Sequence, residues 1–190
     1  MLAYVLIASA VVLIWAALNY NLLVRIRQQV AESWSNIDTE LKRRYDLIPN
    51  LVEAVKGYAS HERTTLEAVV AARDRARNST GSPASQAADE KSLVESMQKL
   101  LAVAEAYPDL KASENFLALQ LELANTEDRI QAARRFYNAN VRDLNTRIEV
   151  FPSNLIASLF HFRPAEFFEV ESAVVRKVVD VSFNPAGDEA

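Results

Sequence analysis

Apolar residues at Ile37, Leu41, Tyr45, Ile48, Val52 and Val55 recur every three or four positions and continue through Ala59, Leu66, Val69 and Val70. This spacing predicts one buried stripe along a long helix. Pro49 lies inside the stripe without shifting its phase. Within a helix, proline removes one hydrogen bond and crowds the carbonyl four residues earlier, here Tyr45, at a cost of about 3 kcal/mol. A turn at this point would make Ile48 the N-cap of a new helix, a role for which isoleucine is among the poorest residues. A single helix kinked at Pro49 is therefore predicted.

Upstream, Leu2 to Leu18 contains no charged residue and only Ser9 as a polar interruption, about 17 residues or roughly 25 Å of helix, extendable through Val24. Such a run spans a bilayer, with Tyr4, Trp15 and Tyr20 placed as interface anchors. No Lys or Arg precedes it, and its one small-x-small site, Ala8-Ser9-Ala10, falls inside the apolar run, so retention as an anchor is expected over cleavage as a signal peptide. Arg25 and Arg27 follow directly, which by the positive-inside rule places the C-terminal domain in the cytoplasm and the N-terminus outside.

Downstream, Asn78-Ser79-Thr80-Gly81-Ser82-Pro83 reads as a loop. A second helix from Ser85 to Tyr107 carries Leu93, Met97, Leu100, Leu101 and Ala104. A third carries Phe116, Leu119, Leu123, Ile130, Tyr137, Val141, Leu144, Ile148 and Phe151. The two stripes are out of phase, so Pro108, unlike Pro49, marks a true break. Ser153 or Asn154 caps a short apolar helix through Phe160, which ends at Pro164. From Glu166 to Phe183, Val175, Val179, Val181 and Phe183 fit neither period, which suggests an extended tail packed on the bundle. The expected organisation is all-α: a transmembrane anchor over 1–24, an up-and-down antiparallel bundle of three to four long helices over 25–163, and an irregular tail over 164–190. A first helix reaching Arg77 would be about 70 Å long against about 35 Å for the second. Either it breaks near Gly57 to give four bundle helices, or part of it stands free as a stalk.

Composition narrows the function. Three glycines and six prolines among 190 residues disfavour a turn-rich β fold. The absence of cysteine removes disulfides and thiolate metal sites. A net charge of -4, with basic residues scattered among acidic ones, argues against nucleic acid as a partner.

The chemistry-bearing residues form no catalytic set. His61-Glu62 begins like a zinc-protease motif, but Thr65 stands where the second histidine belongs, and neither His61 nor His161 follows a glutamate by three positions as a di-iron bundle requires. There is no phosphate loop, no GxSxG elbow and no cysteine nucleophile. No metal, cofactor or catalytic residue is assigned. Asp46, Asn50 and Glu53 share a helix face, a pattern that ordinarily makes a solvated surface. Beside the third helix's stripe lie Asn115, Gln120, Glu127, Arg134 and Asn138. Their ordinary role is interhelical pairing, and Glu127 and Arg134, seven apart, are expected to pair with Arg44 or Asp46 because buried charges need partners. Arg43, Asn50 and Lys56 lie outside the apolar phase and form the candidate partner surface, with simple solvation as the alternative.

Asn19-Tyr20-Asn21-Leu22-Leu23-Val24, Leu41 through Glu53 and Val55-Lys56-Gly57-Tyr58-Ala59-Ser60-His61-Glu62 together resemble the LemA family. Tyr107-Pro108-Asp109-Leu110-Lys111-Ala112, Leu119 through Leu123, Thr126-Glu127, Arg135-Phe136-Tyr137-Asn138 and Phe151-Pro152 match it in order and spacing. The resemblance reaches about Phe168, with no clear match in the tail. It implies a bacterial membrane protein with one N-terminal span, a short outside end and a cytoplasmic helical bundle, and it supplies no catalytic residues. Association of some family members with membrane-embedded metalloproteases points to that class as a protein partner.

The leading expectation is a non-enzymatic scaffold or adaptor, in contact with membrane lipid and presenting a helical surface to protein partners. The alternative is a self-assembling homo-oligomer that organises or remodels the membrane. A ligand-binding or enzymatic role requires that the polar residues around Arg44, Glu127 and Arg134 line a cavity.

Overall fold

In the computed structural model, which describes residues 1–170, a single helix α1 covers Leu2–Lys56. It passes Pro49 without interruption and ends at Gly57, so of the two alternatives open from sequence the break near Gly57 is the one present. After a short turn α2 returns as Arg63–Arg77, and α3 runs out again as Pro83–Glu105. The side chain of Ser82 caps α3 by accepting from the Ser85 N–H, with Pro83 in the first turn, where its missing N–H removes no helical bond. One short helical turn, α4 (Pro108–Lys111), leads into α5 (Glu114–Glu149), and α6 (Ser153–Leu159) closes the bundle. The expected break at Pro108 is present.

The start of α1, up to Leu18, is largely exposed, and α1 is long and apolar enough to cross a membrane. Its buried positions begin at Leu23 and continue through Ile26, Val30, Ile37, Leu41, Ile48 and Leu51 to Val55. These residues pack against Ile130, Tyr137, Val141 and Leu144 of α5 and, farther along, against α2. Burying branched aliphatic side chains contributes about 1.5–3 kcal/mol each relative to exposure, and this seam supplies most of the bundle's cohesion.

The α2–α3 hairpin covers only the distal part of this seam, reaching back to the level of Asp38 and Lys42. Nearer the apolar end, residues 163–170 take the place of the missing helices. This segment lies extended along α5, and Phe168 is fully buried with its ring 5.3 Å from Trp34. The side-chain amide of Asn145 donates to the Ala165 carbonyl at 2.9 Å while its Oδ1 accepts the Ala165 N–H at 2.8 Å. Asn138, two turns earlier, repeats the exchange with Phe168 at 3.2 and 3.0 Å. Tyr137 adds a hydroxyl bond to the Glu166 carbonyl at 2.8 Å. Two asparagines seven residues apart thus give an extended strand the donor and acceptor pairs that a neighbouring strand would otherwise provide.

Several expected positions differ in detail. Val70 and Phe151 are exposed, Val70 because it lines an open depression shared with Val52 and Lys56 of α1 and Phe151 because α5 has ended at Glu149. Neither Ser153 nor Asn154 caps α6. Ser153 instead places its hydroxyl to donate to the carbonyl of Arg147 at 2.7 Å or of Val150 at 3.0 Å at the end of α5, while the Val150 carbonyl also accepts the Asn154 N–H. The extended packing expected for Glu166 to Phe183 is present over 166–170; Val175, Val179, Val181 and Phe183 lie outside the described residues.

Candidate functional site: a buried charge network beside an open cleft

Arg44 occupies a stripe position on α1, between Leu41 and Ile48, and is 2% exposed. A guanidinium there needs carboxylates from other elements, since an unpaired buried charge costs several kcal/mol. Two meet it. Its Nη1 donates to Glu127 Oε1 of α5 at 2.7 Å, and its Nη2 pairs with Glu90 Oε2 of α3. The other oxygen of Glu90 accepts the hydroxyl of Tyr45, so consecutive residues of α1 grip one carboxylate. Arg44 therefore ties three helices together. Its Nε is buried and has no partner among the described residues.

Burial works to lower the Arg44 pKa, but the carboxylates of Glu127 and Glu90 outweigh it and hold the group above its ordinary value. Glu90, 1% exposed, is shifted upward: desolvation pushes its carboxyl up more than Arg44 and the Tyr45 hydroxyl pull it down. Tyr45 is raised strongly by burial and by the adjacent Glu90 charge. The Arg44 and Tyr45 shifts favour the protonated groups that donate to Glu90, whereas the Glu90 shift disfavours its charge.

Arg134 stands beside this network without an ion pair among the described residues. It lies over the Phe168 ring at 5.8 Å, donates through Nη2 to the Val170 carbonyl at 3.4 Å and leaves a buried Nε without a partner among the described residues. Desolvation lowers its pKa, with partial compensation from Glu127. Arg134, Glu127 and Asn138 form one wall of an open cleft of about 700 Å³ between α3 and α5, where the two helices stand apart. Met97 and Leu101 of α3 face Leu123 of α5 across it.

The structure brings together three of the four residues expected in the polar cluster, Arg44, Glu127 and Arg134, although Arg134 contacts backbone and an aromatic ring in place of a charge. Asp46 is apart from them. It is exposed on α1, two positions and about 200° around the helix from Arg44, beside a surface depression shared with Arg77 and Ser79. Glu90 was missed, although its spacing from Leu93, Met97, Leu100 and Ala104 places a charge on the buried stripe of α3. Arg43, Asn50 and Lys56 are all exposed. Arg43 pairs with Glu40 at 3.4 Å and Lys56 with Glu53 at 3.3 Å; Arg43 and Asn50 share a face, while Lys56 is turned about 120° from them toward α2. His61 and His161 are both exposed, and no group of three His, Asp or Glu side chains could hold a metal ion among the described residues.

A long apolar helix that becomes the central rod of an antiparallel bundle, bolted by a buried arginine, defines a membrane-associated helical-bundle protein. The sequence model of the LemA family matches residues 33–183, and the chain belongs to that family. This match extends past Phe168 into the tail, beyond the limit read from the motifs alone. Protein LemA of Metamycoplasma hominis is 29% identical over 163 residues, covering 85% of this chain and 74% of its own length. Magnetosome protein MamQ 2 of Paramagnetospirillum magneticum is 25% identical, and Magnetosome protein MamQ of Magnetospirillum gryphiswaldense is 22% identical. Each of these two matches covers 82% of this chain and 66% of the relative. None of the three is named for a reaction.

Proposed function

We propose that this protein is a non-enzymatic adaptor anchored in the cytoplasmic membrane of a bacterium by one span, with its N-terminus outside and its bundle in the cytoplasm, where it receives a protein partner. The observation that carries this reading is the α3–α5 cleft. It combines an apolar floor of Met97, Leu101 and Leu123 with an Arg134 whose Nε has no partner among the described residues, and its walls are held by the Arg44 network. A partner helix or extended segment bearing apolar side chains and a carboxylate would fit it. A membrane metalloprotease is the partner class implied by the family resemblance.

Photo-crosslinking in intact membranes tests this reading, with the crosslinker at Gln98 in the cleft and at Val70 on α2, outside the cleft, as control. A discrete heterologous protein joined through Gln98 and not through Val70 is the expected result. Absence of any such adduct at Gln98 overturns the adaptor reading.

A second reading is self-assembly into a membrane-organising oligomer, since long apolar helices present repeated side-to-side surfaces. In the same experiment it predicts adducts between copies of this chain.

A further inference from the structure

α6 is apolar on both sides. Its inner face places Ile156 and Ala157 in the core, as a packed helix requires. Its outer face carries Leu155 and Leu159, four residues apart and 57% and 68% exposed, continued by Phe151 at 79% and Phe160 at 51%. A surface helix of a water-soluble bundle has a polar outer face; one that is apolar all round is covered by something.

The position of this patch identifies the cover. The Phe160 ring lies 4.6 Å from Tyr20, and Phe162 packs 6.0 Å from the same ring with the Arg27 guanidinium 5.2 Å above it. Tyr20 lies two residues past Leu18, just beyond Asn19, so the patch continues the exposed apolar surface of α1. From Leu2 to Leu18 that run gives roughly 25 Å of helix, about 5 Å less than a typical hydrocarbon core. Tyr20 and Phe160 sit where the shortfall would be made up. The flanking charge is of one sign. No Asp or Glu occurs over residues 1–31 or 150–165, whereas Arg25, Arg27 and Arg163 all fall there and are exposed.

From these features we propose that Phe151, Leu155, Leu159 and Phe160 form a foot that inserts into the bilayer interface beside the span, with Arg25, Arg27 and Arg163 against anionic phospholipid headgroups. The bundle is then held to the membrane at two points, which fixes its orientation relative to the surface. The proposal rests on α1 crossing the membrane.

The chain has no cysteine, so single labelling sites are available in the full-length protein. Leu159→Cys, Val70→Cys and Ile7→Cys, each carrying an environment-sensitive fluorophore, are reconstituted into nanodiscs of brominated phosphatidylcholine and phosphatidylglycerol. The expected result is blue-shifted emission at Leu159 with quenching severalfold above that at Val70 and strong quenching at Ile7. Quenching at Leu159 no greater than at Val70, with Ile7 quenched, overturns the foot while leaving the anchor standing. If Ile7 is also unquenched, the anchor reading fails and the foot fails with it. A blue-shifted but unquenched Leu159 probe that crosslinks to a second copy would assign the patch to self-association and also overturn the proposal.

Discussion

Arg73 of α2 donates its Nε–H to the backbone carbonyl of Tyr45 at 3.1 Å. That carbonyl is the one Pro49 leaves without a helical donor. A side chain from the neighbouring helix therefore satisfies the acceptor, and α1 continues through a proline that would otherwise favour a break.

Arg73→Met should destabilise the bundle by about 1.5–3 kcal/mol, the range for a hydrogen bond made by a charged donor. With Pro49→Ala, residue 49 regains an N–H for Tyr45, and the cost of Arg73→Met should fall to less than half. A double-mutant cycle by chemical denaturation measures this coupling, and strictly additive effects would refute it.

Arg44→Met should be much more damaging, at about 3–5 kcal/mol, because it leaves Glu90 and Glu127 without their shared cation. Adding Glu90→Met should recover a substantial part of that loss, since the remaining carboxylate, Glu127, is partly exposed. Equal instability of the single and double variants would show that the network does not act through its buried charge.

The raised pKa of Glu90 has a defined sign. Above the ordinary carboxyl value of 4.5 the unfolded chain has released this proton while the folded chain still retains part of it. The contribution of Glu90 to stability is therefore greatest at low pH and declines as pH rises from that value through the folded pKa. The stability difference between wild type and Glu90→Gln should shift against wild type over that interval. Unfolding free energies measured for both proteins across it provide the check, and an increase in favour of wild type would contradict the assignment.

Asn145→Ala removes both bonds to Ala165 and should cost about 1–3 kcal/mol. Its effect should be local. Amide hydrogen exchange at Ala165 and Phe168 should accelerate well before exchange in the α1–α5 seam, whereas uniform acceleration would show that the strand and the seam open together.

The helices were legible because their cohesion comes from side chains at helical spacing. The out-of-phase stripes identified the break at Pro108, and the unbroken phase through Pro49 identified the continuity of α1. Glu127 and Arg134 were legible as edge-of-stripe charges needing partners, with Arg44 as one candidate, but Asp46 looked equally available until the turn of the helix placed it outside. Glu90 carried a readable signal in its register with Leu93 and Met97. The seating of Phe168 did not. It depends on Asn138 and Asn145 recognising backbone atoms, which any residue at 165 or 168 would present, so no side-chain period announces it. The α3–α5 cleft was equally silent, because a gap is a property of where two helices fail to meet.

The unbroken course of α1 makes the bundle a lever. One rod of 55 residues carries both the run long and apolar enough to cross a membrane and the core seam, so a change in the run's inclination is transmitted to the bundle unless a second membrane contact resists it. A 10° tilt at the bilayer would sweep the far end, some 50 Å away, through roughly 9 Å. A change in membrane thickness could thus reach the distal end of the bundle as displacement, without any local refolding along the way.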